Sequence, residues 1–305
     1  MSEIRIGISG WRYAPWRKVF YPEGLAQKRE LAFASRAVNS IEINGSFYAL
    51  QTPQRYAGWR DDTPDDFVFA VKAPRYITHV RRLKDIDEPL ANFFASGPLQ
   101  LGDKLGPILW QFPPSLKFDR QRFADFLEKL PHDRHAASQC ARHCAGRLKH
   151  HGAFGSRGEG ALRHAVEIRN DSFKDPVFID LLRQHQVALV VADTAGKWPC
   201  LEDLTADFVY LRLHGDAELY ASGYTDAALQ HWARRIRTWN RGQQPGDAHL
   251  GASRDEATKG RKAIYCYFDN DLKVRAPFDA RELLHRLKLD AHLQTEPGQA
   301  PTTPL

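Results

Sequence analysis

The stretch Phe208–Gly215, Phe-Val-Tyr-Leu-Arg-Leu-His-Gly, constrains the fold more than any other. With a period of two, Val209, Leu211 and Leu213 point one way while Tyr210, Arg212 and His214 point the other. The aliphatic face suits packing beneath a layer of helices. The opposite face carries a guanidinium and an imidazole, and Gly215 ends the strand. One such strand would also fit a half-exposed sheet.

The pattern recurs. In Ser40–Asn44, Ile41 and Ile43 oppose Glu42 and Asn44, and in Ala165–Arg169, Val166 and Ile168 oppose Glu167 and Arg169. Lys72 ends Phe67–Lys72, Gln111 follows Ile108-Leu109-Trp110, Asp193 ends Val187–Asp193, and Tyr265 and Tyr267 share a face in Ala263–Phe268. Arg5–Ser9 adds a strand with Gly7 and Ser9 opposite its isoleucines, and Gly106–Phe112 is closed by Pro113-Pro114. Eight strands with helical segments between most of them predict a single α/β domain, a (β/α)8 TIM-type barrel over residues 1–293. Its strands would bring their polar ends to one mouth. The stretches at about 132–164 and 240–262 read as long loops, the first including a surface helix, and 294–305 as a disordered tail.

Composition limits the partners. Forty-three Lys and Arg against 37 Asp and Glu give a net charge of +6, which permits a nucleic acid or phosphorylated partner without establishing one. The N-terminal residues lack a basic region followed by an apolar run, so no signal peptide is expected. The apolar runs fall short of the roughly 20 residues of a membrane helix. The four cysteines show no zinc spacing, although Cys140 and Cys144 would share a helix face. The cytoplasm is the expected compartment. His143, His150, His151 and His164 are read as part of the 132–164 segment rather than as a metal site.

Several motifs accumulate in order: Gly-Ile-Ser-Gly-Trp11 with Tyr13 and Trp16, Tyr21-Pro22, Glu42-Ile-Asn44 with Phe47-Tyr48, Val71-Lys72 with Thr78-His79, Gly106 to Ser115, Glu167-Ile-Arg169, Tyr210 to Gly215, and Tyr267-Phe-Asp-Asn270. As a set they resemble the domain-of-unknown-function family 72, the YecE-like family, over nearly the whole chain. The resemblance implies a bacterial cytoplasmic barrel of TIM type and brings no established reaction with it. Related sequences often carry two asparagines after the aromatic pair. Here they are Asp269-Asn270, so Asn270 is the position carried over.

The residues themselves suggest an enzyme, a hydrolase or isomerase, acting by general acid/base chemistry at the C-terminal mouth of the barrel. Its substrate would be a small phosphorylated, nucleotide-like or sugar compound. Glu42, Lys72, Glu167, Asp193 and His214 are the candidate catalytic groups, with His214 as acid/base because its ordinary pKa lies near neutrality. Lys72, Arg169 and Arg212 suit a phosphate or carboxylate. Trp11, Tyr48 and Tyr267 could stack on a ring. Tyr13, Asn44, His79, Gln111 and Asn270 complete the expected binding set. A divalent ion on Glu42, Glu167, Asp193 and His214 is one alternative, although the sequence has no spacing signature for it. A purely structural network is another, with Glu167 pairing Arg212 and Glu42 pairing Lys72 or Arg169. A nucleic-acid binder is a third, for which Arg234–Arg241 and Lys259–Lys262 would supply a basic stripe.

Overall fold

A computed structural model of the chain describes residues 3–252 and 260–301. Eight parallel strands close into a barrel in sequence order: β1 Ile4–Ser9, β2 Ser40–Ile43, β3 Val68–Lys72, β4 Leu105–Gln111, β5 His164–Glu167, β6 Ala188–Asp193, β7 Phe208–Leu213 and β8 Ala263–Phe268. The pairing of β1 with β8, from Ile4 opposite Ile264 to Ile8 opposite Phe268, completes the ring. The α-helices are α1 Glu30–Ala37, α2 Gly45–Tyr48, α3 Pro53–Asp61, α4 Asp87–Ala95, α5 Arg120–Lys129, α6 Arg134–Ala141, α7 Pro176–Gln184, α8 Asp226–Asn240 and α9 Ala276–Leu287. The expected TIM-type barrel is therefore what forms.

Local chemistry explains the helix starts. Thr52, Asp119, Asp133, Asp175 and Thr225 each accept a hydrogen bond from the first turn of the helix that follows. Proline stands in the first turn of α3, α7 and α9, where its missing N–H costs nothing.

Strand parity divides the core in two. Outward aliphatic residues such as Ile8, Ile41, Val166 and Leu211 pack under the helices in the larger apolar cluster. Inside the barrel Ala70, Ala165, Ala188 and Ala192 leave room for Tyr210, Tyr265 and Tyr267. Gly7 faces this interior: a Cβ there would stand 1.8 Å from the Ser40 carbonyl oxygen, so nothing larger fits.

Two of the expected irregular regions are more ordered than their composition suggests. In the 240–262 loop, the Glu202 carboxylate accepts from the backbone N–H of His249, and Asp203 accepts from those of Gly251 and Ala252. Residues 253–259 lie outside the described residues. The expected disordered tail instead docks: the Thr295 hydroxyl donates to the Phe33 carbonyl at 3.0 Å, and the Gly298 N–H to that of Phe20 at 2.7 Å. Residues 302–305 lie outside the described residues. In the 132–164 stretch the helix ends at Ala141, so Cys144 is not on it with Cys140. No helix among the described residues is long and apolar enough to cross a membrane.

Candidate active site at the barrel mouth

At the C-terminal ends of the strands the interior changes from apolar to ionic. Arg212, fully buried, projects inward from β7 and meets three carboxylates. Its Nε and Nη2 reach Glu42 at 3.1 and 2.9 Å, its Nη1 reaches Glu167 at 2.7 Å, and its Nη2 reaches Asp269 at 2.8 Å. The remaining oxygen capacity is also used. Glu42 accepts from the Tyr210 hydroxyl at 2.6 Å and the Ser9 hydroxyl at 3.1 Å, and the Gln111 amide donates to both Glu167 oxygens at 2.9 and 3.0 Å. Burial alone would raise the Glu167 carboxyl, but Arg169 and Arg212 outweigh it and hold it well below the usual carboxylate range. Such a cluster is tolerable in a barrel core because nearly every charge has a directed partner.

A second storey lies above this layer, lining a cavity of about 600 Å³ with Lys72, Arg75, His79, Gln111, Arg169, Tyr220, Asp269 and Asp271 among its walls. Arg169 is held on three sides. Its Nε donates to Glu167 at 2.8 Å, an Nη donates to the Tyr220 hydroxyl at 3.2 Å, and its guanidinium lies 3.9 Å from the Trp198 ring centroid. His79 enters from a π-helical turn, Tyr76–Val80, and its Nδ1 lies 2.9 Å from the Thr78 hydroxyl. Burial, then Lys72 and Arg169, lower the His79 imidazole to about 4, so it stands neutral near pH 7.

Lys72 differs from the other cations. No carboxylate among the described residues comes within ion-pair distance of its amine, which instead sits 4.4 Å from the Phe47 ring centroid. Burial first, and then the Arg212 charge, lower it to about 8. Across the cavity two carboxyls are pushed apart. Burial would raise Asp269, but Arg212 and His214 hold it below the ordinary value. Burial, and then the Asp269 charge, push Asp271 well above it. One Asp271 oxygen is buried without a hydrogen-bond partner among the described residues.

The expected residues divide accordingly. Lys72, His79, Gln111, Arg169, Tyr13, Asn44 and Tyr48 line the cavity. Glu42, Glu167 and Arg212 lie in the saturated layer below, so the pairing of Glu42 with Lys72 or Arg169 gives way to Arg212. His214 is fully buried, with Nδ1 3.0 Å from Asp269 and Nε2 4.0 Å from Glu167. It is therefore not among the residues that face the cavity.

Four expectations are corrected. In the register of β6 with β7, Ala192 pairs with Arg212, so the inward position falls on Ala192. Asp193 points outward and accepts from the Tyr224 hydroxyl at 3.0 Å. Asn270 is likewise one residue off the inward parity; its amide donates to Asp279 at 2.7 Å and to the Ser222 carbonyl at 2.9 Å. Tyr267 is buried beneath the ionic layer with its hydroxyl 2.8 Å from that of Ser40. Trp11 packs on Trp59 and lines an adjoining pocket of about 450 Å³ instead of the mouth. Sequence reasoning passed over Asp269, Asp271 and Tyr220. Asp269 was within reach of it, since it lies two residues past the inward Tyr267 and so shares its parity.

The family model described as protein of unknown function DUF72 matches residues 5–304. The chain belongs to this family. Among its relatives are the UPF0759 protein YecE of Escherichia coli (strain K12) and the UPF0759 protein YunF of Bacillus subtilis (strain 168). YecE is 32% identical over 127 residues, which is 37% of this chain and 44% of YecE. YunF is 32% identical over 116 residues, which is 36% of this chain and 40% of YunF. The aligned stretch thus spans less than half the length of either relative. A crystal structure of a DUF72 family protein from Thermotoga maritima superposes with a TM-score of 0.69 at 25% identity, covering 94% of this chain and 99% of that one. One from Enterococcus faecalis, at 17% identity and a TM-score of 0.64 over 94% and 96% of the two chains, shares the fold.

The donor set expected for a divalent ion in this DUF72 barrel does not fit one. The Glu42 and Glu167 oxygens are engaged by Arg212, Arg169, Tyr210, Ser9 and Gln111, and Asp193 faces away. Among the described residues no group of three or more His, Cys, Asp or Glu side chains is arranged to hold a metal.

Proposed function

We propose that this chain is an enzyme that binds a small anionic compound in the barrel mouth and acts on it by general acid/base chemistry. One observation carries the reading: in a single cavity, Lys72 and Arg169 face two aspartates whose environments drive their proton affinities in opposite directions. Such a divergence is how one site can hold both an acid and a base at one pH. Asp271, whose carboxyl is pushed well above its ordinary value by burial and Asp269, is the acid. Lys72, lowered to about 8, is the cation that can most readily give up and take back a proton. Arg169 presents a guanidinium already locked in orientation, which suits a phosphate or carboxylate.

The charge distribution supports a small ligand over a polymer. Arg235, in the middle of the expected basic stripe, is buried against Glu202 at 3.0 Å and Asp247 at 3.1 Å. Lys262 is buried and donates to the Ala206 carbonyl at 2.9 Å, and Lys259 lies outside the described residues. The test is a calorimetric titration of inorganic phosphate, sugar phosphates, nucleotides and single-stranded DNA and RNA at low and near-physiological salt. Small anions should bind wild type, lose affinity in Arg169→Ala and keep most of it in salt. Tight polymer binding that survives near-physiological salt and ignores Arg169→Ala would replace the proposal with nucleic-acid binding.

A further inference from the structure

We infer that Lys72 is a carbonyl-reactive lysine, whose amine forms an imine with an aldehyde or ketone that also bears a phosphate or carboxylate. The inference rests on the small-anion reading above and narrows it to a substrate class. It starts from a contrast among the cations of the barrel interior. Arg212 and Arg169 are tied to carboxylates by short, directed contacts. Lys72, at the end of β3 and buried, has the Phe47 ring beside its amine and no carboxylate within ion-pair distance among the described residues. A lysine kept only for its charge would gain from a carboxylate partner; one kept as a nucleophile is helped by being free of a direct one. Desolvation and a neighbouring cation are the two means by which an amine is kept uncharged enough to attack. Both act here, through burial and through Arg212.

The rest of the cavity supplies what the reaction needs. Arg169 and Arg75 offer a phosphate or carboxylate its counter-charge. The neutral amine adds its lone pair to the carbonyl carbon, and the carbonyl π electrons move to oxygen. Transfer of one N–H proton to that oxygen gives a carbinolamine. The nitrogen lone pair then expels the hydroxyl as water with a proton from Asp271, leaving an iminium on Lys72 and a carboxylate on Asp271. Asp271 is suited to the step because burial and Asp269 push its carboxyl well above the ordinary value, and one of its oxygens is buried without a hydrogen-bond partner among the described residues.

The experiment uses the full chain and pyridoxal phosphate, an aldehyde carrying a phosphate, followed by borohydride reduction and peptide mapping by mass spectrometry. Lys72 should be labelled at least tenfold faster than Lys18, whose side chain is 72% exposed. The neutral fraction at pH 7.5 differs roughly two-hundredfold between an amine near 8 and an ordinary lysine. The Lys72 rate should level off above pH 8 while exposed lysines keep accelerating, and excess inorganic phosphate should slow it. Lys72→Arg should keep phosphate binding and lose selective labelling, and Asp271→Asn should slow labelling without weakening phosphate binding. If Lys72 reacts no faster than Lys18 while phosphate still binds through Arg169, the imine is refuted and the small-anion reading stands. If neither labelling nor phosphate binding is seen, both fall.

Discussion

Arg212 and Lys72 are both cations buried in one barrel, on β7 and β3, and their surroundings are opposite. Arg212 sits among three carboxylates and has its donors used. Lys72 stands nearer the opening, has no carboxylate partner among the described residues and faces open volume. The difference shows that an inward-facing charge at a strand end has no single meaning. Its height along the strand decides whether it is taken up by neighbouring side chains or left facing the cavity.

The largest expected effect tests the bracing half. Arg212→Ala should lose about 3–5 kcal/mol in denaturant unfolding, because it leaves Glu42 buried without a counter-charge and takes the Arg212 guanidinium from Glu167 and Asp269. That equals or exceeds the roughly 2–5 kcal/mol expected for Leu211→Ala on the apolar face of the same strand. A variant as stable as wild type that loses only ligand would make Arg212 a ligand-binding residue and erase the contrast.

Lys72→Met should move stability the other way. Lys72 titrates near 8 in the folded protein, below the value of an unfolded lysine. Between the two the unfolded chain binds a proton that the folded chain does not, so wild-type stability rises with pH across about 8–10.5. Lys72→Met should therefore be more stable at pH 7, by up to about 3 kcal/mol, with the gain shrinking through that window. Equal slopes for the two proteins would show that Lys72 is not desolvated as described.

An acid limb of similar size comes from His164, which is fully buried, with its Nδ1 accepting from the Trp110 indole and its Nε2 2.8 Å from the Pro131 carbonyl. Burial lowers it to about 4. The unfolded chain then binds the extra proton between about 4 and 6.5, so stability is lost as pH falls through that range, by up to about 3 kcal/mol. The pH slope of thermal unfolding should flatten there in His164→Asn, although His79 shares the window.

In the half proposed to bind the anion, Arg169→Ala should weaken phosphate binding about tenfold or more, the loss expected for one hydrogen bond to a charged group. Arg234→Ala, an exposed change on α8, should leave stability within about 0.5 kcal/mol and phosphate binding unchanged. A larger loss in Arg234→Ala than in Arg169→Ala would move the ligand away from the mouth.

The barrel was legible because parity and register are the same physical fact: Ile41 and Ile43, or Val209 and Leu211, can reach helices only if Glu42 and Arg212 point inward. Parity fails where a strand is apolar on both faces. Ala188 to Ala192 gives no cue to which side is the interior, so the polar end residue Asp193 was assigned to the wrong one. Asn270 shows the limit of carrying a position over by resemblance, since one step of parity separates it from Asp269. Tyr267 was placed on the correct face, but nothing in a one-dimensional pattern reports depth. The tail and the 240–262 loop looked free because their anchors, Phe33 and Phe20 on one side and Glu202 and Asp203 on the other, are distant in sequence.

The Arg212 cluster also bears on how the barrel folds. Arg212 is separated by 170 residues from Glu42, by 45 from Glu167 and by 57 from Asp269. These contacts join β2, β5, β7 and the end of β8, so they can coexist only when the ring of strands is closed. Interactions of such long range form late, after the entropy of bringing distant segments together has been met. Removing one should then leave the refolding rate nearly unchanged and speed unfolding. The expected role of the cluster is that of a kinetic latch, with little part in starting the barrel and a large one in keeping it from opening.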